Sequence, residues 1–158
     1  MKIVVMSDSH LYELTSAFEE LCGNYCRDAD LVIHLGDIAS SEVLDFLMQY
    51  PLEAVYGNMD SYAIRSRLPA TRVIRLGSYR IGLTHVLGAS TQRPEALRHL
   101  FPNVDAILFG HTHQGIQFQA NGIFCFNPGS ITMGRGNSPR SLGLLHVEER
   151  LSAEIIPL

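Results

Sequence analysis

Tryptophan is absent from the 158 residues, cysteine occurs three times, and charged residues make up only 18% of the chain. An odd number of cysteines, in a chain long enough to bury a core without covalent staples, does not make the paired framework of a small secreted domain. A reducing compartment is expected. Positive charge is also scarce: 12 Lys and Arg stand against 16 Asp and Glu, a formal net charge of −4. Affinity for nucleic acid or an anionic membrane rests on clustered positive charge, so no general nucleic-acid binding and no membrane binding are expected. No apolar run approaches the roughly 20 residues that span a bilayer. The stretch Met1-Lys2-Ile3-Val4-Val5-Met6-Ser7-Asp8 lacks the long apolar region and small-residue cleavage site of a secretory signal. A cytoplasmic location is the expectation. Hydrophobic residues, by contrast, make up 46%, which suits a single domain over 1–158.

In the first half, short apolar runs alternate with helical patterns, the signature of βαβ units and a largely parallel sheet. Ile3–Met6, Leu31–Leu35 and Ala54–Tyr56 are predicted strands. Leu14, Ala17, Phe18, Leu21, Cys22 and Tyr25 recur at three- and four-residue spacing, which predicts a helix from Tyr12 to Tyr25. Ser40 or Ser41 caps a second helix with an apolar face of Val43, Leu44, Phe46, Leu47 and Met48, ending before Pro51. The second half is richer in hairpin signals. Arg72–Leu76 and Arg80–Thr84 flank Gly77-Ser78, and Gln117–Ala120 and Ile123–Phe126 flank Asn121-Gly122. A helix near Arg93–Phe101, a strand at Ala106–Phe109 and a last hairpin from Leu142–Val147 and Leu151–Ile156 complete the pattern. The fold class is α/β: a mixed sheet, or two packed sheets, with helices outside.

Five predicted strands end in groups that can bind metal: Asp8-Ser9-His10, Gly36-Asp37, Gly57-Asn58-Met59-Asp60, His85, and Gly110-His111-Thr112-His113. Ligands of open α/β sheets bind outside the carboxyl ends of the strands, so residues far apart in sequence can converge there. Asp8, His10, Asp37, Asn58, His85, His111 and His113 are seven such groups. Imidazole nitrogens mixed with carboxylate and amide oxygens suit Mn, Fe, Zn, Co or Ni, whereas Ca and Mg prefer oxygen alone. Seven groups exceed the four of a structural zinc site, and a carboxylate shared between two ions about 3.5–4 Å apart accounts for the surplus. The pattern is that of a dinuclear hydrolytic site.

These ordered motifs resemble those of the calcineurin-like metallophosphoesterases, with coverage from Asp8 to Ser130. The small size, the lack of room for a cap domain, and Asn127-Pro128-Gly129-Ser130 resemble the small YfcE-type phosphodiesterase branch. The resemblance implies a two-sheet αββα sandwich. It further implies that Asp8, His10 and His113 hold one divalent ion, that Asn58, His85 and His111 hold the other, and that Asp37 bridges both. Manganese is the expected metal, with Ni, Co, Zn or Fe as alternatives. A hydroxide bridging the two ions would attack phosphorus in line, making Asp37, Asn58 and His111 the catalytic residues and a small phosphodiester or nucleotide-like molecule the substrate. Asp60 and Asn127 would brace the ligands from behind. Two departures stand out: Met59 replaces a histidine that can assist the leaving oxygen, and Val86 replaces the usual glycine after His85.

Other residues have plainer readings. His34, His99 and His146 read as ordinary surface or core histidines, and Cys22, Cys26 and Cys125 as packing residues. Asp8 and Asp37 could serve as helix caps, which leaves His111-x-His113 unexplained. Gly57, Gly110 and Gly129 supply turns that let the chain pass close to a site. Arg135 and Arg140, in a loop with Gly134, Gly136, Asn137 and Pro139, suit phosphate contact, and Arg65 and Arg67 share that choice between phosphate and solvent. Two functional alternatives stand beside the diesterase: a phosphomonoesterase, and a non-catalytic scaffold resembling the retromer subunit. A homo-oligomer is compatible with exposed sheet edges.

Overall fold

The computed structural model describes residues 1–86 and 99–158. Two five-stranded mixed sheets face each other. In the first, β1 (Lys2–Met6), β2 (Leu31–His34) and β3 (Leu52–Ala54) run parallel, and β9 (Ser141–Val147) and β10 (Leu151–Pro157) extend the β1 side, giving the order β10-β9-β1-β2-β3. In the second, β5 (Tyr79–Thr84), β6 (Ala106–Leu108) and β8 (Ile123–Pro128) run parallel between antiparallel edges β4 (Thr71–Leu76) and β7 (Gly115–Ala120). Sequence reading left one sheet or two open; the chain forms two.

The near-continuous apolar runs of β1 and β2 follow from burial on both faces. Ile3, Val5 and Ile33 point between the sheets and meet Ile81, Leu83, Leu108, Phe124 and Phe126. Val4, Met6 and Val32 point outward, under α1 (Ser16–Tyr25), α2 (Ser41–Leu47) and the short α3 (Tyr62–Arg65), where Phe18, Cys22, Val43, Leu44 and Ile64 cover them. On the outer face of the second sheet, Phe101 and Val104 cover Ile107, Ile123 and Cys125. The helix expected near Arg93–Phe101 lies largely outside the described residues, of which His99 and Leu100 are helical.

The first helix begins four residues later than its apolar periodicity predicts. Thr15, in extended conformation, accepts the Phe18 amide through its side chain and ends the loop there. Ser40, not Ser41, caps α2 by the same kind of bond, to the Glu42 amide. The third strand is displaced toward the N-terminus: Leu52–Ala54 pair with Val32–His34, while Tyr56 leaves the ladder and donates to the Pro69 carbonyl. Asn121 and Gly122 both adopt positive φ, 52° and 77°, as a tight hairpin turn requires. Among the described residues no helix is long and apolar enough to cross a membrane.

The sheets come into close contact where β9 meets β8. A Cβ on Gly143 would fall 2.5 Å from the Phe126 ring, the largest fully buried side chain. Gly143→Val should therefore cost about 1–3 kcal/mol by overpacking. The check is a lower denaturant midpoint at unchanged slope.

Candidate metal centre

Every parallel strand of both sheets points its carboxyl end to one rim, and the loops leaving that rim are tied to one another. Asp8 N donates to the Gly36 carbonyl and His10 N to the Asp37 carbonyl, joining the loops after β1 and β2; Gly110 N donates to the His85 carbonyl, joining those after β5 and β6. Five candidate ligands hold positive φ: Asp8 at 55°, His10 at 48°, Asp37 at 56°, His111 at 70° and His113 at 60°. For non-glycine residues this conformation costs about 1–2 kcal/mol each, and such strain clusters at functional sites.

Two buried carboxylates lie at the centre. Asp8 Oδ2 accepts the Ser7 hydroxyl at 2.6 Å and the His111 amide at 2.9 Å. Asp8 Oδ1, equally buried, accepts no hydrogen bond. It stands 3.1 Å from His113 Nε2, 3.7 Å from His10 Nε2 and 3.9 Å from His85 Nε2. Asp37 Oδ1 accepts the Met59 amide at 2.7 Å, while its Oδ2 faces His85 Nε2 at 3.2 Å and His10 Nε2 at 3.7 Å. Asp37 thus faces one histidine from each of the two expected sets. Two groups have the spacing of a metal site, Asp8 with His10 and His113, and Asp8 with Asp37 and His85. Asn58 Oδ1 lies 3.1 Å from His85 Nε2, and the His111 ring meets the His85 ring edge-on at 5.3 Å. All seven candidate ligands come together.

The ring nitrogens are oriented from behind. His113 Nδ1 lies 2.9 Å from the Met133 carbonyl and His85 Nδ1 2.7 Å from the Leu35 carbonyl. Each Nδ1 donates there, turning an Nε2 lone pair toward the carboxylates, as metal-bound histidines are commonly held. Asp60 accepts the amides of Gly57, Asp37 and Ala39, locking two loops together and touching no ligand histidine. Asn127 donates to the Gly110 carbonyl and the Thr112 hydroxyl and accepts the Gly129 amide, bracing the loop that carries both His111 and His113. Gly57 and Gly110 are there for close approach. A Cβ would fall 2.1 Å from Asp37 Oδ1 at Gly57 and 3.0 Å from Asp8 Oδ2 at Gly110.

Several supporting residues carry no signal in the sequence. The Ser130 and Thr132 hydroxyls both donate to the Asp8 carbonyl. Fully buried His34 bonds Ser9 Oγ at 2.5 Å and accepts the Gly36 amide, so it is a satisfied core histidine that links two ligand loops. His99 and His146 are exposed. Arg65 donates to the Asn58 and Asp60 carbonyls and braces the third motif, while Arg67 pairs with Asp45. The exposed Arg135 sits close enough to His113 for its charge to lower the imidazole's affinity for protons. Arg140 lines a different cavity, with Leu11, Phe18 and Leu21 against α1. Cys22, Cys26 and Cys125 are free and buried.

Burial alone would raise the carboxyls and lower the imidazoles. Although that burial is the largest influence on Asp8, the nearby His10, the Ser7 hydroxyl and the charges of His85 and His113 hold it below the usual range; Asp37 follows suit through His85 and the Met59 amide. His10 is pushed up chiefly by the adjacent Asp8 carboxylate, and so is His85, where Asp37 and Asp8 outweigh burial. His113 is pushed down, chiefly by burial. In the protein alone the carboxylates thus make His10 and His85 better proton acceptors than ordinary imidazoles, at the place where a cation would bind.

Comparison with known proteins matches residues 1–150 to the family described as "Calcineurin-like phosphoesterase superfamily domain". A Methanothermobacter thermautotrophicus protein named "Probable metallophosphoesterase" is 35% identical over 160 residues, 99% of this chain and 92% of that protein. Escherichia coli "Phosphodiesterase YfcE" is 38% identical over 97 residues, covering 58% of this chain and half, 50%, of the relative. Among solved structures, Entamoeba histolytica Vps29 complexed with Zn+2 shares the fold at a TM-score of 0.75, with 22% identity, covering 99% of this chain and 98% of that one.

Because ligation requires free imidazole nitrogens, a cation competes with protons for His10 and His85. Both values lie above the ordinary 6.5, so affinity should fall as pH drops through them and level off well above them. Calorimetry in buffers of different ionisation enthalpy should record proton release that grows as pH falls and vanishes on the alkaline side.

Proposed function

Since this chain belongs to the calcineurin-like phosphoesterase superfamily, we propose that it is a metal-dependent phosphodiesterase acting on small or nucleotide-like phosphodiesters. The observation that carries this reading is Asp8 Oδ1, buried, without a hydrogen bond, and facing three imidazole Nε2 atoms. An unpaired buried acceptor costs about 1–3 kcal/mol, and a divalent cation is the partner that suits carboxylates and imidazoles together. Asp8, His10 and His113 would hold one ion, Asn58, His85 and His111 a second, and Asp37 both. The donor set suits manganese first, with Fe, Co, Ni or Zn as alternatives; zinc is named with the Vps29 of this fold. When bound, two such ions lower the pKa of water to give a nucleophile at neutral pH and neutralise the phosphate oxygens.

The chain's own residues orient that chemistry. Met133 and Leu35 fix the tautomers of His113 and His85, and Asp60 and Asn127 keep the loops from shifting. Arg135 adds positive charge beside His113, where an anionic substrate arrives. Met59 is exposed and offers no proton to a leaving oxygen, which favours esters of acidic alcohols. A dianionic monoester would call for a cationic clamp; Arg65 is engaged by backbone carbonyls and Arg140 lies in another cavity. The name of the YfcE relative supports the diester reading as well. A second reading, an assembly scaffold, draws on the likeness to Vps29; it predicts a partner complex that survives loss of the ligands, and the retained ligand set favours the enzyme. A cytoplasmic location accords with the free, buried cysteines.

The test is an assay of the metal-stripped protein with bis-aryl and mono-aryl phosphates, adding Mn, Co, Ni, Zn or Mg in turn. Diester turnover should rise as about two ions bind, ahead of monoester turnover. Asp37→Asn should lower turnover by at least ~100-fold together with metal occupancy; near-normal turnover would sink the bridging role. Met59→His should speed esters with poor leaving groups, by up to about 100-fold, and leave activated aryl esters nearly unchanged.

A further inference from the structure

Beside the cluster, on its Asn58 and His85 side, lies a cavity of about 290 Å3 whose lining includes Tyr56, Arg65, Ala70, Thr71 and Val86. We propose that this cavity seats a planar aromatic substituent of the phosphate ester, either an aryl ring or a nucleobase. The proposal rests on the phosphoesterase reading above and names which part of the substrate this chain selects.

Position is the first argument. Asn58 and His85 belong to both places: they line the cavity, and His85 Nε2 is 3.2 Å from Asp37 Oδ2 and 3.1 Å from Asn58 Oδ1. An ester whose phosphate rests at the cluster therefore has an arm's length of open space next to it. The second argument is size. Pockets for drug-sized ligands run from roughly 300 to 1,000 Å3, so this one takes a single ring system rather than an extended polymer.

Surface chemistry is the third. The Arg65 guanidinium lies over the Tyr56 ring, 5.3 Å from its centroid. Bonds to the Asn58 carbonyl at 2.6 Å and the Asp60 carbonyl at 2.8 Å hold it there before any ligand arrives. Two stacked flat groups fixed in advance offer an aromatic ligand a face that needs little ordering. In the same lining, Val86 leaves 41% of its surface exposed directly after His85, and Ala70 is exposed as well. The Thr84 hydroxyl donates to the Val86 carbonyl and so holds that wall in place. A ring in the cavity would cover both apolar side chains.

The experiment uses the zinc-loaded protein, whose d10 ion leaves nearby amide signals sharp, and three probes that the enzyme cannot hydrolyse: methylphosphonate, phenylphosphonate and the phosphonate analogue of AMP. Affinities come from calorimetry and locations from amide NMR shifts. One or both ring-bearing probes should bind on the order of tenfold more tightly than methylphosphonate and shift the amides of Ala70, Thr71 and Val86. Tighter phenylphosphonate assigns the cavity to an aryl group, and tighter AMP analogue to a nucleobase. Ala70→Phe, which fills the cavity without touching the cluster, should abolish the preference and leave methylphosphonate affinity unchanged; Thr71→Trp serves if that variant fails to fold. Equal affinities for all three probes, indifferent to both substitutions, would overturn the cavity assignment while metal-dependent diester turnover kept the phosphoesterase reading intact. Absence of both phosphonate binding and diester turnover would overturn the reading itself.

Discussion

Two carboxylates with little access to water, Asp8 and Asp37, stand at the ends of adjacent parallel strands, and much of the structure serves to keep them ionised there. Burying a carboxylate is costly unless its oxygens find partners. Each has one oxygen satisfied within the protein, Asp8 Oδ2 by Ser7 and the His111 amide, Asp37 Oδ1 by the Met59 amide. The other oxygen of each is turned toward imidazoles from the opposite sheet. Charge at the rim thus depends on the register of the sandwich, because His85 and His113 reach the carboxylates only if the sheets pack as they do.

The same rim is where the backbone is most strained. Five ligand residues hold positive φ, and local bonding holds that conformation: the Asp60 carboxylate on three amides, the Asn127 amide on the Gly110 loop, and Ser130 and Thr132 on the Asp8 carbonyl. Beneath them, Ile3, Val5, Ile33, Leu108 and Phe126 supply the apolar contact that keeps the loops' anchors rigid. Core and site divide the work between stability and chemistry.

Much of this was legible in the sequence. Strands β1, β2, β3 and β6 announced themselves as apolar runs and β5 and β8 through their hairpin turns, and the candidate ligands after β1, β2, β3, β5 and β6 needed only the rule that parallel strands bind ligands at their carboxyl ends. Boundaries shifted where a side-chain cap or a tertiary bond outweighed periodicity, as at Thr15 and at Tyr56. The supporting contacts were illegible for a different reason. Ser7, Ser130 and Thr132 have common side chains whose value lies in partners more than a hundred residues away, or in one rotamer, and Arg65 gave the same signal as any solvated arginine. For His34 the sequence allows a surface or a core place, and its link to Ser9 exists only once β1 and β2 are paired.

The unpartnered oxygen on Asp8 and the strained loops around it also bear on how such a chain can change over generations. Substitutions that remove the buried charge, or put glycine where a ligand now holds positive φ, relieve a cost borne only for the sake of the cation. The three apolar clusters among the described residues contain none of those side chains. A lineage freed from the need for chemistry would find the route away from it downhill in folding energy, with the sandwich intact. A full ligand set kept against that gradient is what selection for the proposed cation binding would leave in a single molecule.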